Sequence, residues 1–331
     1  MKLNTTNRQP EAEDILSGVI FLGAGASKAF GYPTTVEFME TAKQRSLPDP
    51  FKEIVNYIQP KRKTVDIEMV LGDLQDLQSA IQELRVPGHF KEWLFLQSGH
   101  VGNPNQLVQY SRNISMLISE INKLVYDTYW KEPSEEAKAT YRELASHFAP
   151  SLDIFTTNYD LCVEHAFVDD SVDDKSFTDG FGYINRSIRW DESLFDGSNI
   201  RLYKLHGSVN WKRSLSGDLW KTPVHDRTEE KDHVILYPGF KGEPSAEPFI
   251  FVHRALAEKL ASSRSLIVIG FSFRDEYINR IINGAIKKER GLRLVIWNPV
   301  LPAHPFPNES VVLFDKPFER IHIQEVANLI S

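Results

Sequence analysis

Three short motifs place residue types that can do chemistry at the ends of apolar runs. In T-T-N-Y-D, Thr156 to Asp160, an amide (Asn158) and a carboxylate (Asp160) follow the run Ile154–Phe155, where side chains can reach a bound sugar or a reacting carbon. The same residues also suit structural work, Asp160 as the cap of a following helix and Asn158 in a left-handed turn. In L-H-G-S, Leu205 to Ser208, His206 follows the run Leu202 to Lys204, beside a glycine that permits close backbone approach. An unperturbed imidazole titrates near ~6.5 and can take or return a proton at neutral pH. The third motif, G-A-G-A-S-K-A-F-G-Y-P-T-T, follows the run Val19 to Leu22 and brings Gly23, Ala24, Gly25 and Ser27 to a turn into a helix. Such a turn offers backbone N–H groups and a positive dipole end to a phosphate. It equally fits a tight turn capped by Ser27.

Two weaker signals have the same form: G-F-S (Gly270 to Ser272) and W-N-P (Trp297 to Pro299) each end an apolar run with small or amide side chains. Against the dinucleotide fingerprint G-x-G-x-x-G, Gly23 and Gly25 fit, but Lys28 stands where the third glycine belongs. The acidic residue that should end a second strand is also missing, so an ordinary dehydrogenase is disfavoured. The P-loop pattern, G-x-S-x-G and H-E-x-x-H are all absent, which argues against the ATPase, hydrolase and zinc-protease chemistries they carry.

All five motifs end short apolar runs: GVIFLGAG, LDIFTTN, RLYKLHG, SLIVIGFS and LRLVIWN; a sixth run, HVILYPG, has the same form. These read as strands buried on both faces. Helix-like stretches follow several of them, for example Asp160 to Phe167 and Asp275 to Lys288, which predicts an α/β fold with a doubly wound, mostly parallel sheet of the Rossmann-like kind. Ligands of such sheets bind at the carboxyl ends of the strands. Between the first two runs, residues 33–150 read as an inserted helical module. Ile67, Val70, Leu71, Leu74, Leu77 and Ile81 form one apolar stripe at helical spacing, and Leu107, Ile114, Leu117, Ile118, Ile121, Leu124 and Val125 form another. Phe167 to Asn199 and Ser214 to Asp232 read as surface loops, and Pro317 to Ile330 as a closing helix.

Composition narrows the partners. The 38 Lys and Arg against 45 Asp and Glu leave a net charge of −7, so no general basic surface holds a nucleic-acid backbone. No apolar run reaches the roughly 18–20 residues of a membrane span, and the polar, acidic start lacks the form of a signal peptide. The single cysteine, Cys162, excludes an intrachain disulfide and a four-cysteine zinc site, and suits a cytoplasmic location.

Taken in order, the glycine turn, T-x-N-x-D, H-G, G-x-S and a strand ending in Asn resemble the sirtuin family over Val19 to Asn298. That resemblance implies one NAD-binding domain across 1–331 with the helical module at 33–150 inside it. It further implies that Gly23, Ala24, Gly25, Ser27, Thr157, Gly270, Ser272 and Asn298 hold NAD, and that Asn158, Asp160 and His206 act at the nicotinamide ribose. Protein-deacylating sirtuins carry a four-cysteine zinc ribbon that one cysteine cannot build. The chain therefore looks like the zinc-free bacterial branch, NAD-consuming effectors of antiphage defence that need no metal. On this resemblance the expected activity is an NAD glycohydrolase giving nicotinamide and ADP-ribose. The expected assembly is a homo-oligomer, acting with a partner hexameric ATPase or helicase, or with an Argonaute-type protein. An NAD or ADP-ribose sensor that gates a partner, or an ADP-ribosyl transferase or cyclase, are the alternative readings of the same residues.

Overall fold

A computed structural model describes residues 18–44, 66–85, 104–148, 150–168, 176–184, 187–214, 217–227, 233–235, 244, 246–288, 292–300, 302–318, 322–323 and 325–326. Alternation along its strands divides the interior in two. In β1 (Gly18–Leu22), Ile20 and Leu22 join one apolar cluster while Val19 and Phe21 join another, as the two-residue period of a strand buried on both faces requires. Strands β2 (Leu152–Thr156), β10 (Ser265–Ile269) and β11 (Arg293–Trp297) share their side chains between the same two clusters.

Helices α1 (Ala24–Lys28), α2 (Thr35–Gln44), α3 (Ile67–Arg85), α4 (Pro104–Tyr129) and α5 (Glu135–Ser146) cover the first face. The last four fall within 33–150. The expected stripe of α3 is buried at Ile67, Val70, Leu71 and Leu74, but Leu77 is exposed; that of α4 is buried at Ile114, Leu117, Ile121, Leu124 and Val125. Helix α6 (Cys162–Phe167) follows β2 on this face, while α7 (Phe249–Ser262) and α8 (Glu276–Ile286) cover the other. No helix among the described residues is long and apolar enough to cross a membrane.

With β3 (Phe177–Thr178), β6 (Ile200–Lys204) and β12 (Val311–Phe314), the main sheet has seven strands in the order β12-β11-β10-β1-β2-β6-β3, and every pairing is parallel. This is the expected doubly wound α/β architecture. Its register matters for function. Leu22 lies opposite both Thr156 and Ile269, Thr156 opposite Lys204, and Ile269 opposite Trp297, so the strands leave the sheet in one row. Chain order reverses between β1 and β10, the switch point at which such sheets form a crevice.

A second, antiparallel sheet departs from the expected pattern. It contains β4 (Phe181–Ile184), β5 (Ser187–Trp190), β7 (Gly207–Arg213), β8 (Leu219–Lys221) and β9 (His233–Ile235), in the order β4-β5-β8-β7-β9. The run HVILYPG therefore contributes to this sheet and not to the parallel one, with its residues beyond Ile235 outside the described set. The cause is the tight turn at Leu205–His206: with no helix between β6 and β7, no parallel crossover forms. Parts of 167–199 and 214–232 are likewise strands rather than loops, in pieces of four residues or fewer that show too little period to detect. Most of the stretch read as a closing helix lies outside the described residues.

Candidate functional site

Because the strands end in one row, the residues after them meet. A cleft of about 600 Å³ is lined by Ala24, Gly25, Ser27, Thr157, Asn158, Asp160, His206, Gly270, Ser272 and Asn298, ten of the eleven residues singled out from the sequence. Gly23 is the exception; it lies beneath the surface, and its carbonyl accepts from Asn158.

The glycine turn and the turn after β10 pack backbone to backbone. Gly23 N–H donates to Ile269 O and Gly25 N–H to Gly270 O, both at 2.9 Å. A Cβ on Gly25 would lie 2.7 Å from the Gly270 Cα, and one on Gly270, whose φ is +65°, would lie 2.2 Å from the Ala26 nitrogen. The contact between the turns thus demands glycine. Ser27 does not cap α1; it is buried inside the helix and takes a hydrogen bond from Asn158.

Asn158 is fixed by its neighbours. Its N–H donates to Thr156 Oγ1, while Nδ2 donates to Gly23 O at 3.0 Å and to Ser27 Oγ at 3.1 Å. The Gly23 carbonyl can only accept, which sets the amide orientation and leaves Oδ1 buried with no partner among the described residues. Asp160 Oδ1 accepts from Cys162 N–H, the first residue of α6, but the N-cap position is Leu161, which makes no side-chain cap bond; Asp160 thus fixes the turn into the helix and also lines the cleft. Behind it runs a buried ion pair. Lys204 Nζ donates to Asp160 O at 2.5 Å and to Glu164 Oε1 at 2.8 Å, with both side chains 1% exposed.

His206 sits in the turn between β6 and β7, followed by Gly207 at φ +79°. Its Nε2 lies 3.1 Å from Asp275 Oδ2. Asp275 also caps α8, its Oδ1 accepting from Tyr277 and Ile278 N–H. Burial pushes the Asp275 carboxyl up, but the His206 hydrogen bond and charge and the two helix amides outweigh it and hold it below the usual range. An ionised Asp275 accepts a hydrogen bond from Nε2–H, which leaves Nδ1 as the ring nitrogen free for another partner. That Nδ1 is buried and meets no partner among the described residues. Phe273, between Ser272 and Asp275, has φ +55°, a conformation rare for an aromatic residue and held here by ring contacts with Phe271 and Phe306.

Several cleft residues were not singled out from the sequence: Asp275, Arg274, Asp66, Glu68, Tyr129 and Tyr159. Asp275 carried one usable signal, a helix-capping residue three positions after Ser272. Asp66 and Glu68 carried none, since they open α3 about ninety residues before Thr157, in a segment marked only by its apolar stripe. Arg274 Nη1 reaches Asp66 Oδ2 at 3.3 Å and ties α3 to the turn after β10. Among the described residues no group of three or more His, Cys, Asp or Glu could hold a metal ion.

Residues 153–308 match the family model of the SIR2-like domain, a span containing Asn158, His206, Asp275 and Asn298 but not the glycine turn or Glu68. No curated protein matches the chain. Among solved structures, a Sir2 homologue in complex with NAD is 13% identical, with 95% of this chain and 90% of that one covered and a TM-score of 0.47. A mutant Sir2 homologue in complex with 2'-O-acetyl ADP-ribose is 13% identical, with 94% and 90% covered and a TM-score of 0.45. A second mutant, in complex with ADP-ribose, is 14% identical over the same shares, with a TM-score of 0.45. Residues 153–308 are thus similar to the SIR2-like domain, and they supply strands of a parallel sheet whose ends converge on one cleft.

Proposed function

We propose that this cleft binds NAD and hydrolyses its nicotinamide–ribosyl bond, releasing nicotinamide and ADP-ribose. The observation that carries this reading is the juxtaposition of His206 and Asn158 in the lining of one cleft, each fixed by the protein and each with one buried polar atom that meets no partner among the described residues. Simple phosphate binding requires neither group. The SIR2-like match over the part of the chain that holds both residues supports the choice of NAD.

The nicotinamide ring of NAD is positively charged and departs neutral, so the barrier lies in the cationic sugar that forms as it leaves. His206 Nδ1 accepts a proton from a ribose hydroxyl or from water, and Asn158 Oδ1 accepts from the other. The carboxyl of Asp160 at the same wall favours the developing positive charge. Thr157, Ser272 and Asn298 line the remainder of the cleft, where the rest of NAD extends, with the turn at Ala24 and Gly25 near its pyrophosphate.

This reading extends to a role: a cytoplasmic NAD-depleting effector of antiviral defence, without zinc, acting as a homo-oligomer. Uncontrolled hydrolysis would harm the host, so the activity waits on assembly or on a partner, a hexameric ATPase or an Argonaute-type protein. The test is to incubate the purified chain with NAD, with and without such a partner, and to separate the products by chromatography. Equal release of nicotinamide and ADP-ribose is expected. Binding with no product under either condition would overturn hydrolysis in favour of sensing, and a cyclic or protein-linked ribosyl product would overturn it in favour of transfer. A fully active monomer in sedimentation would overturn control by assembly.

A further inference from the structure

One carboxyl in the cleft has no part in the chemistry above. Glu68 stands in the first turn of α3, within the helical segment and outside the parallel sheet. Its position is nonetheless closely determined. The Tyr159 phenol, between Asn158 and Asp160 in the chain, donates to Glu68 Oε1 at 2.5 Å. Tyr159 is held in turn by the edge of the Tyr129 ring and by Val209 N–H, which donates to its carbonyl at 3.2 Å. The start of α3 is anchored by Asp66, which accepts from Met69 N–H with Oδ1 and pairs with Arg274 through Oδ2. One Glu68 oxygen is thereby fixed, and Glu68 lines the same cleft as Asn158 and His206.

The geometry points to Glu68 as the catalytic base that takes the proton of the attacking water, leaving His206 to the ribose hydroxyl; this rests on the NAD-cleaving reading above. In the step, the bond from the ribose carbon to the nicotinamide nitrogen breaks, and its electron pair neutralises the departing ring. The water oxygen bonds to that carbon, and one water proton passes to Glu68 and then to solvent, so NAD and water yield nicotinamide, ADP-ribose and a proton. No other reactant is needed. His206 takes the ribose hydroxyl proton and returns it as that hydroxyl re-forms, so the two proton transfers occupy two acceptors and only the water proton is released.

The surroundings suit the task. Burial pushes the Glu68 carboxyl up to about 7, His206 opposes this, Asp66 adds to it, the Tyr159 hydrogen bond opposes it and Asp275 adds to it. Lys28, Tyr129, Asp160 and Arg274 line the same cleft. A base of this strength is well matched to neutral pH.

The experiment measures nicotinamide release from NAD against pH for the wild-type chain, Glu68→Gln and Tyr159→Phe, under the conditions in which the wild type turns over, with NAD affinity measured by calorimetry. Wild-type release should climb through a limb near pH 7. Glu68→Gln should lose at least about 100-fold in rate, at the low end of what a placed base contributes, together with that limb, while NAD affinity stays within about threefold. Tyr159→Phe removes a donor that favours the carboxylate, so its limb should move to higher pH, which a purely structural Tyr159 would not cause. A Glu68→Gln chain with wild-type rate and limb overturns the assignment while leaving NAD cleavage standing. No release by the wild type under any condition overturns both.

Discussion

Asp275 holds two structures at once: its Oδ2 lies 3.1 Å from His206 Nε2, and its Oδ1 caps helix α8. Asparagine caps a helix about as well as aspartate. Asp275→Asn should therefore leave stability within about 1 kcal/mol of wild type. The imidazole, however, would no longer face a carboxylate, and Nε2 would no longer be fixed as the donor to it. Where a triad aspartate is replaced in this way, turnover falls by about 10⁴-fold; here a fall of at least about 10²-fold is expected. Nicotinamide release and thermal unfolding measured on one preparation test it, and parallel losses in both would show a structural role only.

Asn158 separates binding the turn from doing chemistry. Replacing it with alanine removes two hydrogen bonds to Gly23 and Ser27 as well as the buried Oδ1. The lost bonds should cost about 1–3 kcal/mol. Activity should vanish altogether, a loss beyond what this destabilisation explains. His206→Ala should abolish activity with a smaller effect on unfolding. Full nicotinamide release by either variant would remove it from the mechanism.

What sequence made visible, and what it hid, follows from locality. Strand-end positions were legible because β1, β2, β6, β10 and β11 are apolar on both faces, and a parallel sheet delivers the following residues to one edge. That logic located Asn158, His206 and Gly270 without any knowledge of side-chain contacts. It failed for HVILYPG, where apolar character alone cannot distinguish a parallel from an antiparallel neighbour. It failed for Glu68 too, because only the packing of α3 brings that carboxyl to the cleft, and no residue near Glu68 signals the approach.

Gly270 tests whether the contact between the two turns needs glycine for space or only for backbone freedom. Gly197 is the control, with φ +83° and nothing within 4 Å of a built Cβ. Gly197→Ala should cost only left-handed strain, about 1–2 kcal/mol. Gly270→Ala adds a clash with the Ala26 nitrogen and should cost about 1–3 kcal/mol more. Denaturant midpoints compare the two, and equal losses would show that the turns separate without cost.

Glu68 should also be visible in stability, independently of turnover. Its folded value of about 7 lies above the ordinary 4.5, so the fold favours the protonated form. That stabilisation is complete below about 4.5, declines as pH rises, and is gone above about 7; it amounts to on the order of 3 kcal/mol. Glutamine stays neutral throughout. The stability of Glu68→Gln relative to wild type should therefore rise between pH 4.5 and 7 and then level off. A difference that stays flat with pH would place the Glu68 carboxyl in water.

Lys204 distinguishes stability from positioning. Removing one member of a fully buried ion pair leaves the other charge uncompensated, so Lys204→Met should cost about 3–5 kcal/mol. Replacing both members by apolar residues of similar volume is often neutral, so Lys204→Met with Glu164→Leu should recover most of that loss. Lys204 also donates to the Asp160 carbonyl, at the end of the turn that carries Asn158. The double variant should thus fold well and still hydrolyse NAD slowly, with the deficit in turnover and not in thermal unfolding. Recovery of both would mean that the turn keeps its geometry without Lys204, and that the ion pair serves the fold alone.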